Sequence, residues 1–296
     1  MTVPELPEVE SVRRALVSHL TNRRLTSLDV RFEGVLGQSA AATRRALVGS
    51  RLDNTHRHGK YLILNFEDGP AGSAHLMVHL RMTGQIFIQD DYLPDKHVHL
   101  SFDFEGLPVH YRDIRKFGRL TLVEDGRQPQ AIAHVGPDML QVRFAAWRDR
   151  IAHRQAPIKT LLLDQRIASG LGNIYVDESL FLAGIHPLAR PVDLSEDQLR
   201  EIWRRAKQVL RLSINHGGTT FLNFRNFHGR PGNFRRKLRV YGRKGEPCRQ
   251  CGLPLASLRV GGRSSCFCEN CQTQESGRGK PATRQAPLAG PFSKSS

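Results

Sequence analysis

Two groups of residues in this 296-residue sequence have the types and spacing to do chemistry. The first is the opening run Pro4-Glu-Leu-Pro-Glu-Val-Glu10, in which two prolines alternate with three carboxylates ahead of the helical spacing Val9, Val12, Leu16 and Leu20. An acidic first turn with a proline is an ordinary helix start, because the helix dipole favours negative charge there. A proline at the mature N-terminus would offer more: its ring nitrogen would be a secondary amine titrating at roughly 7.7–8.0, leaving unprotonated nucleophile near neutral pH. Such an amine attacking a sugar C1′ forms an iminium ion without losing a further proton, and Glu5 stands beside it to give or take one. As written, Met1, Thr2 and Val3 precede Pro4 and make its nitrogen an amide. Initiation at the codon of Val3, read as Met, followed by removal of that Met would free it.

The second group is Cys248-x2-Cys251, sixteen residues, then Cys268-x2-Cys271. Four thiolates in two knuckles satisfy a tetrahedral Zn²⁺ with no open position, so one structural zinc is expected. Redox use of a Cys-x-x-Cys pair is the alternative, but neither pair lies in a βαβ context. The fifth cysteine, Cys266, reads as a small residue filling a strand position. This usage does not resemble a secreted disulfide framework and points to a reducing compartment.

The elements that must position these groups are legible from periodicity. Arg24 to Gly126 is dominated by period-two runs: 28–32, 61–66, 74–80, 85–89, 98–104 and 109–111. They predict an antiparallel sandwich or barrel, with a short helix over 39–49. From Phe144 to about His216 the pattern is helical, and Ser195 with Gln198 forms a capping box for a helix ending near Asn215. Gly170-Leu-Gly-Asn173 reads as a tight turn between helices. The expected fold is α+β, with an N-terminal antiparallel β-sandwich and flanking helix over 1–126 and a linker over 127–143. A helical domain with a loop (144–232), a zinc finger (233–272) and a disordered basic tail (273–296) complete the division.

Lys and Arg number 44 against 28 Asp and Glu, a formal charge of +16, with a pI near 10.3. That excess implies a polyanionic partner, nucleic acid before an anionic membrane. No apolar run approaches the roughly 20 residues of a membrane helix. Eight Lys or Arg and no acid lie between Arg225 and Gly245, interleaved with Phe227, Phe234 and Tyr241. Charge and aromatics beside a zinc module favour nucleic-acid contact.

The opening PELPEVE resembles that of the formamidopyrimidine-DNA glycosylases, and further stretches match the same family in order through Gln272. These are His79-Leu-Arg-Met-Thr-Gly84, Asp113-Ile-Arg-Lys-Phe-Gly118, Gly170 to Glu178, Gly217-Gly-Thr-Thr220, Val240 to Cys248 and Arg263-Ser-Ser265. The resemblance implies a helix-two-turns-helix element and a zinc-ribbon hairpin. It implies Pro4 as nucleophile, Glu5 as proton carrier, Lys60 as phosphate contact and helper in β-elimination, Arg263 on the lesion phosphate and linked to δ-elimination, and Asn173 on the same backbone. Met82, Arg115 and Phe117 correspond to the side chains that fill the gap left by an extruded nucleotide. His97 and Arg154 correspond to DNA-backbone contacts, and Glu8 and Glu178 to carboxylates near the lesion pocket. Ile114 stands where the family usually has Pro and Lys116 where it usually has Arg, departures that bear on the rigidity of that loop.

The expected activity is that of a bifunctional DNA glycosylase and abasic-site lyase acting on 8-oxoguanine or formamidopyrimidines in duplex DNA. Leu6-Pro7 and the loop 219–232 favour the purine-lesion branch over the endonuclease VIII branch. A monomer in the bacterial cytoplasm, associated with the nucleoid and with no membrane partner, is expected. Two alternatives stand: a catalytically silent lesion-binding protein, should Thr2 and Val3 persist, and a zinc-ribbon nucleic-acid-binding regulator.

Overall fold

The computed structural model describes residues 4–88, 95–123, 132–133, 135–219 and 233–273. Helix α1 (Leu6–Leu20) is followed by strands β1 (Leu25–Val30), β2 (Arg51–His58), β3 (Tyr61–Gly69), β4 (Gly72–His79), β5 (Gly84–Ile88), β6 (Val98–Phe104), β7 (Leu107–Asp113) and β8 (Arg119–Val123), with helix α2 (Ala40–Leu47) between β1 and β2. The strands form two four-stranded antiparallel sheets, ordered β1-β6-β7-β5 and β2-β3-β4-β8. Leu25, Leu62, Phe66, Val78, Leu100, Tyr111 and Leu120 pack between them. Strand β2 escapes the periodicity because only Leu52 and Thr55 along it are buried, as befits an edge strand; β8, at the other edge, also went unanticipated.

Helices α3 (Phe144–Ile151), α4 (Ile158–Leu163), α5 (Asn173–Ala183) and α6 (Glu196–Asn215) form a second core around Trp147, Tyr175 and Ile202. Helix α6 begins on the Ser195–Gln198 capping box expected from sequence. Strands β9 (Ala256–Val260) and β10 (Arg263–Phe267) make a hairpin whose small core joins Phe181 and Val240 to Cys248, Cys266 and Cys268. Of the stretch 127–143 expected as a linker, Met139 and Val142 lie in the helical core. The loop 220–232, the tail 274–296 and residues 127–131 and 134 fall outside the described residues.

Helix α1 holds the halves together. Its Val9, Val12, Leu16 and Leu20 belong to the sandwich core, whereas Leu6 belongs to the helical core. A buried network reinforces the join: Glu10 and Asp138 both pair with Arg57, and Asp138 also accepts the Gly59 and Leu140 amides at 2.9 and 2.8 Å. These contacts bring the start of the chain, the β2–β3 turn and the start of α5 to one place.

Candidate active site

That place is a cleft of about 400 Å³ lined by Glu5, Lys60, Gln165, Gly172, Asn173, Tyr241, Arg263 and Ser264, among others. Glu5 precedes α1, and its carboxylate accepts the amides of Gly172 (2.6 Å) and Ile174 (3.0 Å) at the N-terminus of α5. Amides and helix dipole together make that end a seat for negative charge. Leu6 N–H donates to the Gly170 carbonyl at 3.1 Å. A side chain at Gly170 would strike Leu6 and one at Gly172 would strike Glu5, and Gly170 also has a φ of +117°. The Gly-Leu-Gly turn is thus where the helical half lets the N-terminus approach. Burial pushes the Glu5 carboxyl up to about 7, with Lys60 opposing the rise.

Glu8 lies behind Glu5. It accepts the Glu5 amide (2.9 Å), the Tyr175 hydroxyl (2.6 Å) and the Thr219 amide (2.7 Å), and burial raises its carboxyl above the usual range. The backbone at Gly217 and Gly218 has φ of +73° and +83°, and the path it takes delivers Thr219 to Glu8.

Lys60 sits in the two-residue β2–β3 turn, where only Gly59 has positive φ, the pattern of a hairpin turn with Gly first. A side chain at Gly59 would meet Ser169, so the turn rests against the helical half. Burial lowers the Lys60 ammonium's pKa, and Arg263 adds to the effect while Glu5 resists it. His79 packs against Tyr61 with tilted rings whose centroids are 4.4 Å apart, and burial lowers its pKa to about 3, so this neighbour adds no charge at neutral pH. Arg263 is exposed, opens β10 and lines the same cleft as Lys60. Asn173 donates to the Ser264 carbonyl at 3.0 Å, tying α5 to the same strand.

Pro4 is buried next to Glu5. Met82, Arg115 and Phe117 form a separate group on the sandwich: the Arg115 guanidinium donates to the Met82 sulfur at 3.1 Å and lies 4.5 Å from the centre of the Phe117 ring, which is 47% exposed. His97 and Arg154 are not among the cleft residues. His97 is half-buried beside β6, and Arg154 lines a second cleft with Arg150, His153 and Arg166. Glu8 is not among the cleft residues, and neither is Glu178. The oxygens of Glu178 accept the amides of Arg239, Val240 and Tyr241 at 2.8–3.0 Å, so it shapes the wall only through Tyr241.

The thiol sulfurs of Cys248, Cys251, Cys268 and Cys271 lie within 4.8 Å of one another. Four sulfurs each about 2.3 Å from a tetrahedral Zn²⁺ would stand about 3.8 Å apart, so this donor set fits one structural zinc. Zinc here fixes the fold of the module and leaves no position for substrate.

Sequence reasoning missed Lys159 and Asp177, which form a buried ion pair (2.7 Å) behind the cleft. Lys159 also donates to the Ser264 carbonyl at 3.0 Å, and Asp177 accepts the Ser265 hydroxyl (2.8 Å) and the Cys266 amide (2.9 Å). Asp113 was quoted only as part of a motif. The signal in each case was an acid or base inside an otherwise apolar or structured run, which is costly unless paired.

Comparison with known proteins places this geometry. Residues 3–120 match the formamidopyrimidine-DNA glycosylase N-terminal domain, 135–224 the helix-two-turns-helix domain of the same enzymes, and 245–274 the zinc finger found in them and in isoleucyl-tRNA synthetases. The formamidopyrimidine-DNA glycosylase of Desulfitobacterium hafniense is 38% identical over 91% of this chain and all of its own length. That of Bacillus subtilis is 36% identical over 92% of this chain and all of its own. The crystal structure of MutM from Thermus thermophilus superposes with a TM-score of 0.80 at 34% identity, covering 91% of this chain and 98% of the other. A Lactococcus lactis homologue complexed with abasic-site DNA superposes at 0.82 with 31% identity, covering 91% of this chain and all of the other. The chain therefore belongs to the formamidopyrimidine-DNA glycosylase family.

Proposed function

We propose that this enzyme excises oxidised purines, 8-oxoguanine and formamidopyrimidines, from duplex DNA and then cuts the strand at the abasic site by β,δ-elimination. The observation carrying this reading is Glu5, the residue after Pro4, a buried carboxyl at about 7 whose cleft also holds Lys60 and Arg263 among its lining residues. A group with that affinity both gives and takes protons near neutrality.

The amine of Pro4, freed by initiation at the Val3 codon, attacks C1′ as the bond to the base breaks; its electron pair leaves with the base, which takes up the proton that the Pro4 nitrogen loses. Opening of the sugar turns the adduct into an iminium ion, and Glu5 protonates the ring oxygen released. Lys60, its ammonium destabilised by burial, takes the sugar proton whose loss expels the 3′ phosphate. Arg263, a permanently charged planar donor, and Asn173 hold the lesion phosphate. The family match beginning at residue 3 supports Pro4 as the first residue of the mature chain.

Met82, Arg115 and Phe117 fill the space left by the flipped nucleotide, and His97 and Arg154 contact the backbone. Among the described residues no helix is long and apolar enough to cross a membrane. Borohydride treatment of the enzyme on an 8-oxoguanine duplex is expected to give a covalent adduct together with free base. Binding of abasic DNA without any adduct would favour the catalytically silent alternative.

A further inference from the structure

We propose that Asp113 is the positioning residue that makes Met82, Arg115 and Phe117 act as one wedge. The inference rests on the base-flipping reading above. Those three side chains come from two separate turns, residues 81–83 before β5 and residues 114–118 after β7. The Asp113 carboxylate, with no exposed surface, is bonded to both. One oxygen accepts the Thr83 hydroxyl and the Arg115 amide (3.2 Å), and the other accepts the Gly118 amide (2.8 Å) and the Tyr111 hydroxyl (3.2 Å). Thr83 closes the circuit, since its hydroxyl oxygen also accepts the Arg115 amide at 3.1 Å. The Asp113 carbonyl accepts the His99 Nε2 proton at 2.8 Å, and His99 packs on Phe32, over which the Lys116 ammonium sits 4.1 Å from the ring centre.

The loop turns back at Lys116, which has a φ of +58°, a conformation a lysine holds only when its surroundings impose it. The Arg115 and Gly118 amides at the two ends of the loop are both fixed by this one carboxylate. Gly118 is obligatory, because any side chain there would strike the Tyr111 hydroxyl and displace it from Asp113.

The test is Asp113→Asn in the full-length, zinc-loaded protein. The amide keeps one acceptor, so two of the four donors face an NH2 group; the hydroxyls can turn to accept from it, but a backbone N–H cannot. The first readout needs no catalysis: 2-aminopurine fluorescence opposite an abasic analogue in a duplex, which reports insertion of the wedge. Wild-type protein is expected to change this signal on binding and Asp113→Asn to lose most of the change. The second readout is excision from the 8-oxoguanine duplex, expected to fall about 10- to 100-fold. Strand cleavage at a preformed abasic site in single-stranded DNA, which has no partner base to replace, should keep its wild-type rate. Thr83→Val should show a weaker version of both losses and Thr83→Ser should restore them. Adding Phe117→Ala to Asp113→Asn should cost little more than Asp113→Asn alone. A native fluorescence change in Asp113→Asn, or equal losses on duplex and single-stranded substrates, would overturn the inference. A wild-type protein that inserts the wedge but excises nothing would leave this inference standing and overturn the proposed function.

Discussion

Helix α5 carries two carboxylate sites that are alike in construction and opposite in consequence. At its N-terminus the amides of Gly172 and Ile174 hold Glu5 from outside the helix. One turn later its own Asp177 and Glu178 reach out to hold amides of the zinc module, at Cys266 and at Arg239–Tyr241. All three groups are buried, and burial raises all three carboxyls. The difference lies in what completes each environment. Asp177 has the ammonium of Lys159 and Glu178 a full set of amides, so both are sealed. Glu5 faces the cleft, where its charge is balanced only in part by Lys60. A carboxylate left incompletely compensated at an open surface is a proton carrier; the same group fully paired is a staple.

The largest effect should come from removing the carrier. Glu5→Gln preserves shape but only one of the two amide contacts, because Gly172 and Ile174 donate to different oxygens; single-turnover excision should fall by about 10²- to 10⁴-fold with lesion binding largely retained. Breaking the staple should cost stability instead. Asp177→Asn strands the Lys159 charge in the interior, a loss of about 3–5 kcal/mol in chemical unfolding, with earlier release of zinc to a chelator. Glu178→Gln, which leaves no cation stranded, should cost about 1–3 kcal/mol. If Asp177→Asn unfolded like the wild type, the contrast between the two ends of α5 would fail. Cys251→Ser should lose zinc and, with the hairpin that carries Arg263, DNA affinity.

The contrast is sharpened by pH. Glu5 titrates at about 7, and its protonated form serves the ring oxygen, so the excision rate should decline as pH rises through that value. The Lys60 charge lowers the Glu5 carboxyl. In Lys60→Gln the declining limb should therefore move to higher pH, even though the overall rate drops; a shift to lower pH would contradict the assignment. The smallest expected effect lies outside the cleft: Arg154→Ala should reduce the salt dependence of DNA binding by about one unit of slope, with no change in lesion preference.

What was legible in the sequence was local. The zinc ligands follow from spacing within one short module, and the α6 cap from two residues three apart. The strands facing the sandwich core declared themselves by alternation, whereas the edge strand β2 did not, having little to bury. Pro4, Glu5, Lys60, Asn173 and Arg263 came chiefly from the family resemblance, and of these Glu5, Lys60, Asn173 and Arg263 line one cleft. The groups that hold the cleft and the Met82–Arg115–Phe117 turns in shape were not legible. Arg57 with Asp138, Lys159 with Asp177, and Asp113 with Thr83 are partners distant in sequence, and no local period marks a charge that will be buried beside its counterion. Glu178 belongs with them: its hold on the amides of residues 239–241 could not be read from its motif position.

The account depends most on an amine at the ring of Pro4. Its most direct test is borohydride trapping on an 8-oxoguanine duplex followed by peptide mapping of the cross-link and intact-mass analysis of the trapped protein. The expected result is an adduct on Pro4 as the first residue of the chain. An adduct on Lys60, or an active protein that still carries Thr2 and Val3, would contradict it.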